Sequence, residues 1–271
     1  MSNRLALIGF GEAGSTFAVA AGWHEQVSAF DIDPQRKAAM AEAKVINSAD
    51  ARSALTGTSL VLSLVTANQA LAAAQEYACF LRPGTIWCDM NSVAPDTKRS
   101  AARLIEVAGA NYVDVAVLAP VHPARMDVPL LISGGPVEEA RIALLAKGFR
   151  NVKIVGKDVG RASSIKMIRS VMVKGIEALT DEMMAAAEAA GVAGEVLGSL
   201  DSSERNEPWA QRAAYNLERM TTHGTRRAAE MEESAKTLAA LGVDPVMTTG
   251  TVRRQREAAG RSKAARNAAW A

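Results

Sequence analysis

Short apolar or β-branched runs recur along the first part of the chain, with Ala-rich stretches of helical texture between them. The runs are Arg4–Ile8, Gln26–Phe30, Leu60–Leu64, Thr85–Cys88, Asn111–Val117, Pro129–Ser133 and Asn151–Val155. Strands that alternate with helices predict a parallel sheet covered on both faces. Arg82-Pro83-Gly84 and Gly134-Gly135-Pro136 mark turns between the elements. After Gly160 the pattern changes. Arg161 to Ala190 has no Pro and no Gly except Gly175, and is dense in Ala, Met, Leu and Glu, so it predicts one helix of unusual length. Helical patterning continues from there, with breaks expected at Gly191, Gly194, Pro208, Gly224, Gly242 and Pro245. The pattern therefore predicts an α/β domain over residues 1–160, then an interdomain helix and an all-helical domain over 161–271. A chain of 271 residues fits two domains at roughly 150 residues each.

On the long helix, Ser163, Lys166, Ser170, Lys174, Glu177 and Asp181 are spaced by 3, 4, 4, 3 and 4 and share one face. Ile168, Val171, Met172, Ile176, Leu179 and Met183 fall on the other sides, so the helix is amphipathic. Lys174, Glu177 and Asp181 read as a solvated face. Lys166 differs, because its place in the first turns carries it past the C-terminal edge of the sheet. A partly desolvated lysine there is suited to general acid–base work.

Composition narrows the function classes. Lys and Arg number 31 against 29 Asp and Glu, a net charge of +2, so no overall field points to nucleic acid or an acidic lipid surface. Aromatic residues make up 4%, too few for a base-stacking platform. Residues 252–271 carry six basic side chains against Glu257, which reads as a solvated terminal helix rather than a nucleic-acid arm. Cys79 and Cys88 cannot build a disulfide framework, and three scattered histidines lack metal-ligand spacing, so a reducing compartment and no structural metal are expected. Without an apolar run of membrane-spanning length, and with Arg4–Ile8 entering a glycine turn rather than a cleavage site, the protein is expected to be cytoplasmic.

Gly9-Phe10-Gly11-Glu12-Ala13-Gly14 is a G-x-G-x-x-G that follows a predicted strand and opens a predicted helix, and Asp31 stands 22 residues beyond Gly9 at the end of the next strand. Gly9 permits the tight turn, Gly11 lets backbone approach a diphosphate, and Gly14 lets the helix pack close to the sheet. The fold class that follows is a Rossmann-type doubly wound sheet. Asp31 can bind the adenosine ribose and repel a 2′-phosphate, which favours NAD, with NADP the other cofactor considered. Asp33 strengthens the repulsion and, with Pro34, also reads as a helix start. Arg36 lies a further turn away, within reach of a phosphate.

With Asp89-Met90-Asn91-Ser92 and the stretch from Gly156 to Ser170, these residues resemble the β-hydroxyacid dehydrogenases, which include 3-hydroxyisobutyrate and 6-phosphogluconate dehydrogenases. Gly160 with Lys166 six residues on is similar to the family's G-x-x-x-x-x-K motif, and the resemblance implies that Lys166 is the catalytic acid/base. It also implies that Val65, Thr66 and Asn91 contact the cofactor and that Val117 and Leu118 contact the substrate. Two positions depart from the family pattern. Ser170 stands where the family has Asn. Leu118-Ala119-Pro120 replaces a Ser-Gly-Gly that meets the substrate carboxylate, and a proline has no N–H to offer. His122, Arg125, His223 and Arg227 are candidate replacement anchors, an Arg being suited to a carboxylate through paired N–H donors.

The activity implied is reversible hydride transfer between NAD and a small hydroxy acid or sugar acid, with Lys166 moving the hydroxyl proton and Ser170 orienting. An imine reductase is the second enzymatic reading, disfavoured because those enzymes resemble this chain without a lysine at the catalytic place. A dinucleotide-binding redox sensor without turnover is the third. Helical domains of this length expose apolar stripes that one α/β domain cannot cover, so a homodimer is expected, with residues 243–271 contributing to its surface.

Overall fold

The computed structural model describes residues 4–202 and 208–260. The chain forms two compact units, Met1–Arg169 and Ser170–Ala271. In the first, eight strands among the described residues make one sheet: β1 (Leu5–Ile8), β2 (Val27–Phe30), β3 (Ile46–Asn47), β4 (Leu60–Ser63), β5 (Ile86–Asp89), β6 (Asn111–Val117), β7 (Leu130–Gly134) and β8 (Val152–Gly156). Their order is β3-β2-β1-β4-β5-β6-β7-β8.

Alternation along β1 shows why both faces are covered. Leu5 and Leu7 enter one apolar core, with Phe17, Leu62, Val113 and Phe149. Ala6 and Ile8 enter the other, with Val61, Trp87 and Ile105. Burial on both sides is what makes such strands read as unbroken apolar runs. The helices of this unit are α1 (Glu12–Ala21), α2 (Arg36–Glu42), α3 (Ala51–Leu55), α4 (Ala70–Tyr77), α5 (Pro95–Val107), α6 (Val121–Ala124) and α7 (Val137–Ala146). Phe17 of α1 meets Phe149 edge to face at 5.0 Å between ring centroids, which ties α1 to the segment after α7.

Two features correct the sequence-based expectation. The sheet is not wholly parallel, because β6 and β7 pair antiparallel. Their connection carries only the four-residue α6 and a three-residue 3-10 turn, Arg125–Asp127, and a parallel return needs a full crossover helix. The two-residue β3 was not predicted, being too short for any alternation to show.

The long helix α8 runs from Arg161 to Ala189, as its composition predicts. Its first turns belong to the sheet unit, because the N–H groups of Gly160 and Ser163 donate to Asp114 Oδ2 at 3.2 and 2.9 Å. Ser163 is buried there. The rest of α8 forms the helical unit with α9 (Ala193–Asp201), α10 (Trp209–Ala240) and α11 (Val246–Ala259).

Gly194 and Gly224 do not break helices; they lie within α9 and α10. Gly224 has a packing reason, since a Cβ there would stand 2.4 Å from the Gln255 carbonyl oxygen of α11. Glu182 of α8 starts α11 from outside by accepting the N–H groups of Met247 (2.6 Å) and Thr248 (2.8 Å) and the Thr248 hydroxyl (2.6 Å). Burial opposes its charge, but these bonds prevail and hold its carboxyl below the ordinary range. Among the described residues no helix is long and apolar enough to cross a membrane. The side chains of Lys174 and Glu177, and Arg261, Lys263 and Arg266, lie outside the described residues.

Candidate active site

β1 lies between β2 and β4, so the chain leaves it in opposite directions and a crevice opens beyond the C-terminal ends of β1 and β4. The glycine turn fills that place. Gly9 has φ +96°, and a Cβ on it would stand 2.5 Å from the Leu64 carbonyl oxygen. A Cβ on Gly14 would stand 2.7 Å from the Gly9 carbonyl oxygen. The fold itself thus requires both residues. Gly11 is different: nothing lies within 4 Å of the position its Cβ would take. That open space faces the N-terminus of α1, where free N–H groups favour a diphosphate.

Beside the turn is a cavity of about 400 Å³ whose wall includes Gly9, Gly11, Asp31, Asp33, Val65 and Thr66. Asp31 accepts the Phe10 N–H through Oδ2 at 2.6 Å and the Asp33 N–H through Oδ1 at 2.8 Å, so the carboxylate is fixed at the cavity edge. Asp33 accepts the Gln35 N–H and pairs with Arg36 at 3.3 Å, so the one cation among the described residues of the lining faces a neighbouring acid. Glu76 and Tyr77 belong to the same lining. The Tyr77 phenol is pushed up by burial first and then by the charges of Glu76 and Asp31.

Leu64 and Val65 also line a second cavity, of about 360 Å³, with Met90, Asn91, Ser92, Pro120 and Lys166. Half-buried Lys166 donates from Nζ to Ser92 Oγ. Asn91 is 5% exposed; its Nδ2 donates to Ser63 Oγ at 3.0 Å, while its side-chain oxygen is buried without a hydrogen bond. A buried acceptor of this kind needs a donor, and the carboxamide N–H of a nicotinamide is one. The open space over Gly11 and this orphaned oxygen both fit a dinucleotide laid along the sheet edge.

The remaining predicted residues fall into place unevenly. Phe10 has its side chain in the core and its N–H on Asp31. Glu12, Ala13 and Val117 line the Lys166 cavity. Leu118 does not: its side chain packs against Ala116, Leu131 and Ala162, and its carbonyl accepts Arg169 Nη1 at 3.2 Å. His122 and Arg125 are outside that lining too, and the His122 ring sits 2.9 Å from Thr16 Oγ1 of α1. Ser170 opens the helical unit, where His223 is exposed and Arg227 lines a separate cavity with Tyr215, Arg219 and Gln255. Ser92 was missed by sequence reasoning. The signal lies in the same D-x-N-S segment, where Ser92 follows Asn91 directly.

Comparison with known proteins agrees with this geometry. The chain belongs to the family defined by the NAD binding domain of 6-phosphogluconate dehydrogenase, whose model matches residues 4–146. A domain of unknown function matches residues 187–258. A conserved hypothetical protein of Sinorhizobium meliloti is 36% identical, with 97% of this chain and 90% of that chain covered and a TM-score of 0.63. A second conserved protein of unknown function, described as structurally similar to 3-hydroxyacid dehydrogenases, is 30% identical over 94% of this chain and 96% of its own, with a TM-score of 0.60. An imine reductase from Myxococcus stipitatus, solved with NADP+ and as a variant with NAD+, shares the fold at a TM-score of 0.76, with 18% identity over 94% of this chain and 93% of its own. The fold is therefore an NAD-binding, 3-hydroxyacid dehydrogenase-like one, which imine reductases also have.

Proposed function

We propose that this protein is an NAD-dependent oxidoreductase that interconverts an alcohol and a carbonyl on a small hydroxy acid or sugar acid, with Lys166 as general acid/base. The observation that carries this reading is the Lys166–Ser92 hydrogen bond in a cavity that shares a wall with the glycine-turn cavity. A nicotinamide held there supplies hydride transfer. As the neutral amine Lys166 takes the hydroxyl proton in oxidation, as the ammonium it returns it in reduction, and Ser92 holds Nζ in reach of the reacting oxygen. Ser170, four residues after Lys166 on α8, is proposed to orient substrate. A panel of hydroxy acids and sugar acids assayed for NAD reduction tests the reading. Turnover of any member supports it; cofactor binding with no turnover across the panel favours the sensor.

The acidic rim favours NAD over NADP. Asp31, Asp33 and Glu76 repel a 2′-phosphate, and Arg36 is engaged by Asp33. The expected result is a higher kcat/KM with NAD, and equal values for the two cofactors would contradict it.

The active form is proposed to be a homodimer. Ile176, Leu179 and Leu200 are exposed yet line an apolar groove in the helical unit with Met183 and Val196, and a second copy of that unit offers a matching apolar face. Light scattering at micromolar concentration is expected to give twice the mass of the chain. A monomer would count against this assembly.

A further inference from the structure

Beneath the Lys166 cavity lies a charged group that the proposed chemistry does not use directly. Lys98 of α5 is 0% exposed, and the two carboxylates beside it, Asp89 and Asp114, are 1% and 0% exposed. Asp89 and Asp114 are register partners on the neighbouring strands β5 and β6, so two like charges face one another in the sheet. Lys98 Nζ answers both. It donates to the Asp89 carbonyl oxygen at 2.6 Å and to Asp89 Oδ1 at 2.9 Å, and stands 3.4 Å from Asp114 Oδ1. One ammonium leaves one negative charge in excess, and neighbouring donors share it: Tyr112 OH on Asp89 at 2.6 Å, and the Gly160 and Ser163 N–H groups on Asp114. Burial, then the Asp89 charge and hydrogen bond, push the Tyr112 phenol well up, so it stays a proton donor.

Each carboxylate also holds one side of the proposed proton-transfer pair. Asp89 Oδ1 accepts the Asn91 N–H at 2.9 Å, which fixes the segment that carries Ser92. Asp114 Oδ2 accepts the N–H of Ser163, one turn before Lys166, and Ser133, itself 3.4 Å from Asp114 Oδ2, accepts the Ala162 N–H at 3.0 Å. Ser92 and Lys166 are 74 residues apart in sequence, and within this network Lys98 is the group that ties their two anchors together.

We propose that Lys98 is a positioning residue for the Lys166 centre: by bridging Asp89 and Asp114 it holds the Ser92 segment and the first turn of α8 in the relation that lets Lys166 reach Ser92. The inference rests on the reading of Lys166 given above. A buried pair left with an unpaired charge is destabilised strongly, whereas a well-hydrogen-bonded one fixes the groups around it.

The test is NMR of the full-length protein after reductive dimethylation of its lysines with isotope-labelled formaldehyde, with the Lys166 resonance assigned by its loss in Lys166→Arg. The variants are Lys98→Met and Asp114→Asn, the second because it keeps the Lys98–Asp89 pair and an acceptor oxygen for α8, and Arg103→Met serves as control on an exposed side chain of the same helix. Lys98→Met is expected to shift the Lys166 resonance to that of exposed lysines, Asp114→Asn, which cuts only the Lys98–Asp114 ion pair, to shift it in the same direction but less far, and Arg103→Met to leave it in place. A folded network variant whose Lys166 resonance and pH titration match wild type would overturn the proposal. The readout needs no substrate, so it can succeed or fail independently of whether turnover is found.

Discussion

Gly9→Ala is expected to yield no folded protein, whereas Gly11→Ala is expected to fold normally and bind NAD(H) about tenfold more weakly, a loss of roughly 1.4 kcal/mol. The two glycines differ in what surrounds them. An alanine at position 9 would have to hold φ +96° with its Cβ 2.5 Å from the backbone oxygen of Leu64, and the central strands offer no room to yield. An alanine at position 11 meets no protein atom within 4 Å, and its backbone is extended, at φ −74° and ψ −156°. Its methyl group would intrude only on a ligand approaching the start of α1. Circular dichroism beside a fluorescence titration with NADH checks both halves. A Gly11→Ala protein that binds NADH as tightly as wild type would remove the case for a diphosphate over this turn.

Lys166→Ala is expected to lower kcat by about 10²–10⁴, the range for loss of a general acid–base group, with little change in cofactor affinity. The asymmetry follows from position. Lys166 lines the cavity that holds Ser92 and Asn91, whereas the cavity beside the glycine turn, lined by Asp31 and Thr66, does not include it. Lys166→Arg is expected to be nearly as poor, because a guanidinium does not release a proton near neutral pH. Steady-state kinetics of both variants beside NADH titrations measure this. Loss of cofactor binding together with activity would make Lys166 a structural member of α8 instead.

Periodicity made the scaffold legible where elements were long or buried on both sides. The predicted run Asn111–Val117 is the strand observed, the other predicted runs lie within a residue or so of theirs, and the long helix ends at Ala189. What escaped was set by tertiary packing. The antiparallel β7 has the same apolar texture as a parallel strand, so only its connection reveals its direction. A mid-helix glycine such as Gly224 usually weakens a helix, and here the close approach of α11 gives it a place. Leu118 shares a segment with Val117, Ala119 and Pro120, which line the Lys166 cavity, but its own side chain packs against the cluster that contains Ala162.

The site was legible in its two motifs and opaque in what supports them. Gly9, Gly11, Gly14, Asp31 and Lys166 are recognisable by type and spacing. Lys98 is not, although a signal was present: it stands with Ala101, Ala102 and Ile105 on the buried face of α5, at spacings of three, four and seven residues. A lysine in phase with an apolar stripe needs a buried counter-charge, and β5 and β6 supply two.

The central claim, a nicotinamide-dependent reaction with Lys166 as proton carrier, is tested most directly by a single-turnover measurement. Wild type and Lys166→Ala are each loaded with NAD and mixed with the best hydroxy or sugar acid from the panel, and the rise in nicotinamide absorbance is followed. The account predicts a fast rise for wild type and, at equal cofactor occupancy, one slower by about 10²–10⁴ for Lys166→Ala. Equal rates for the two proteins would contradict it.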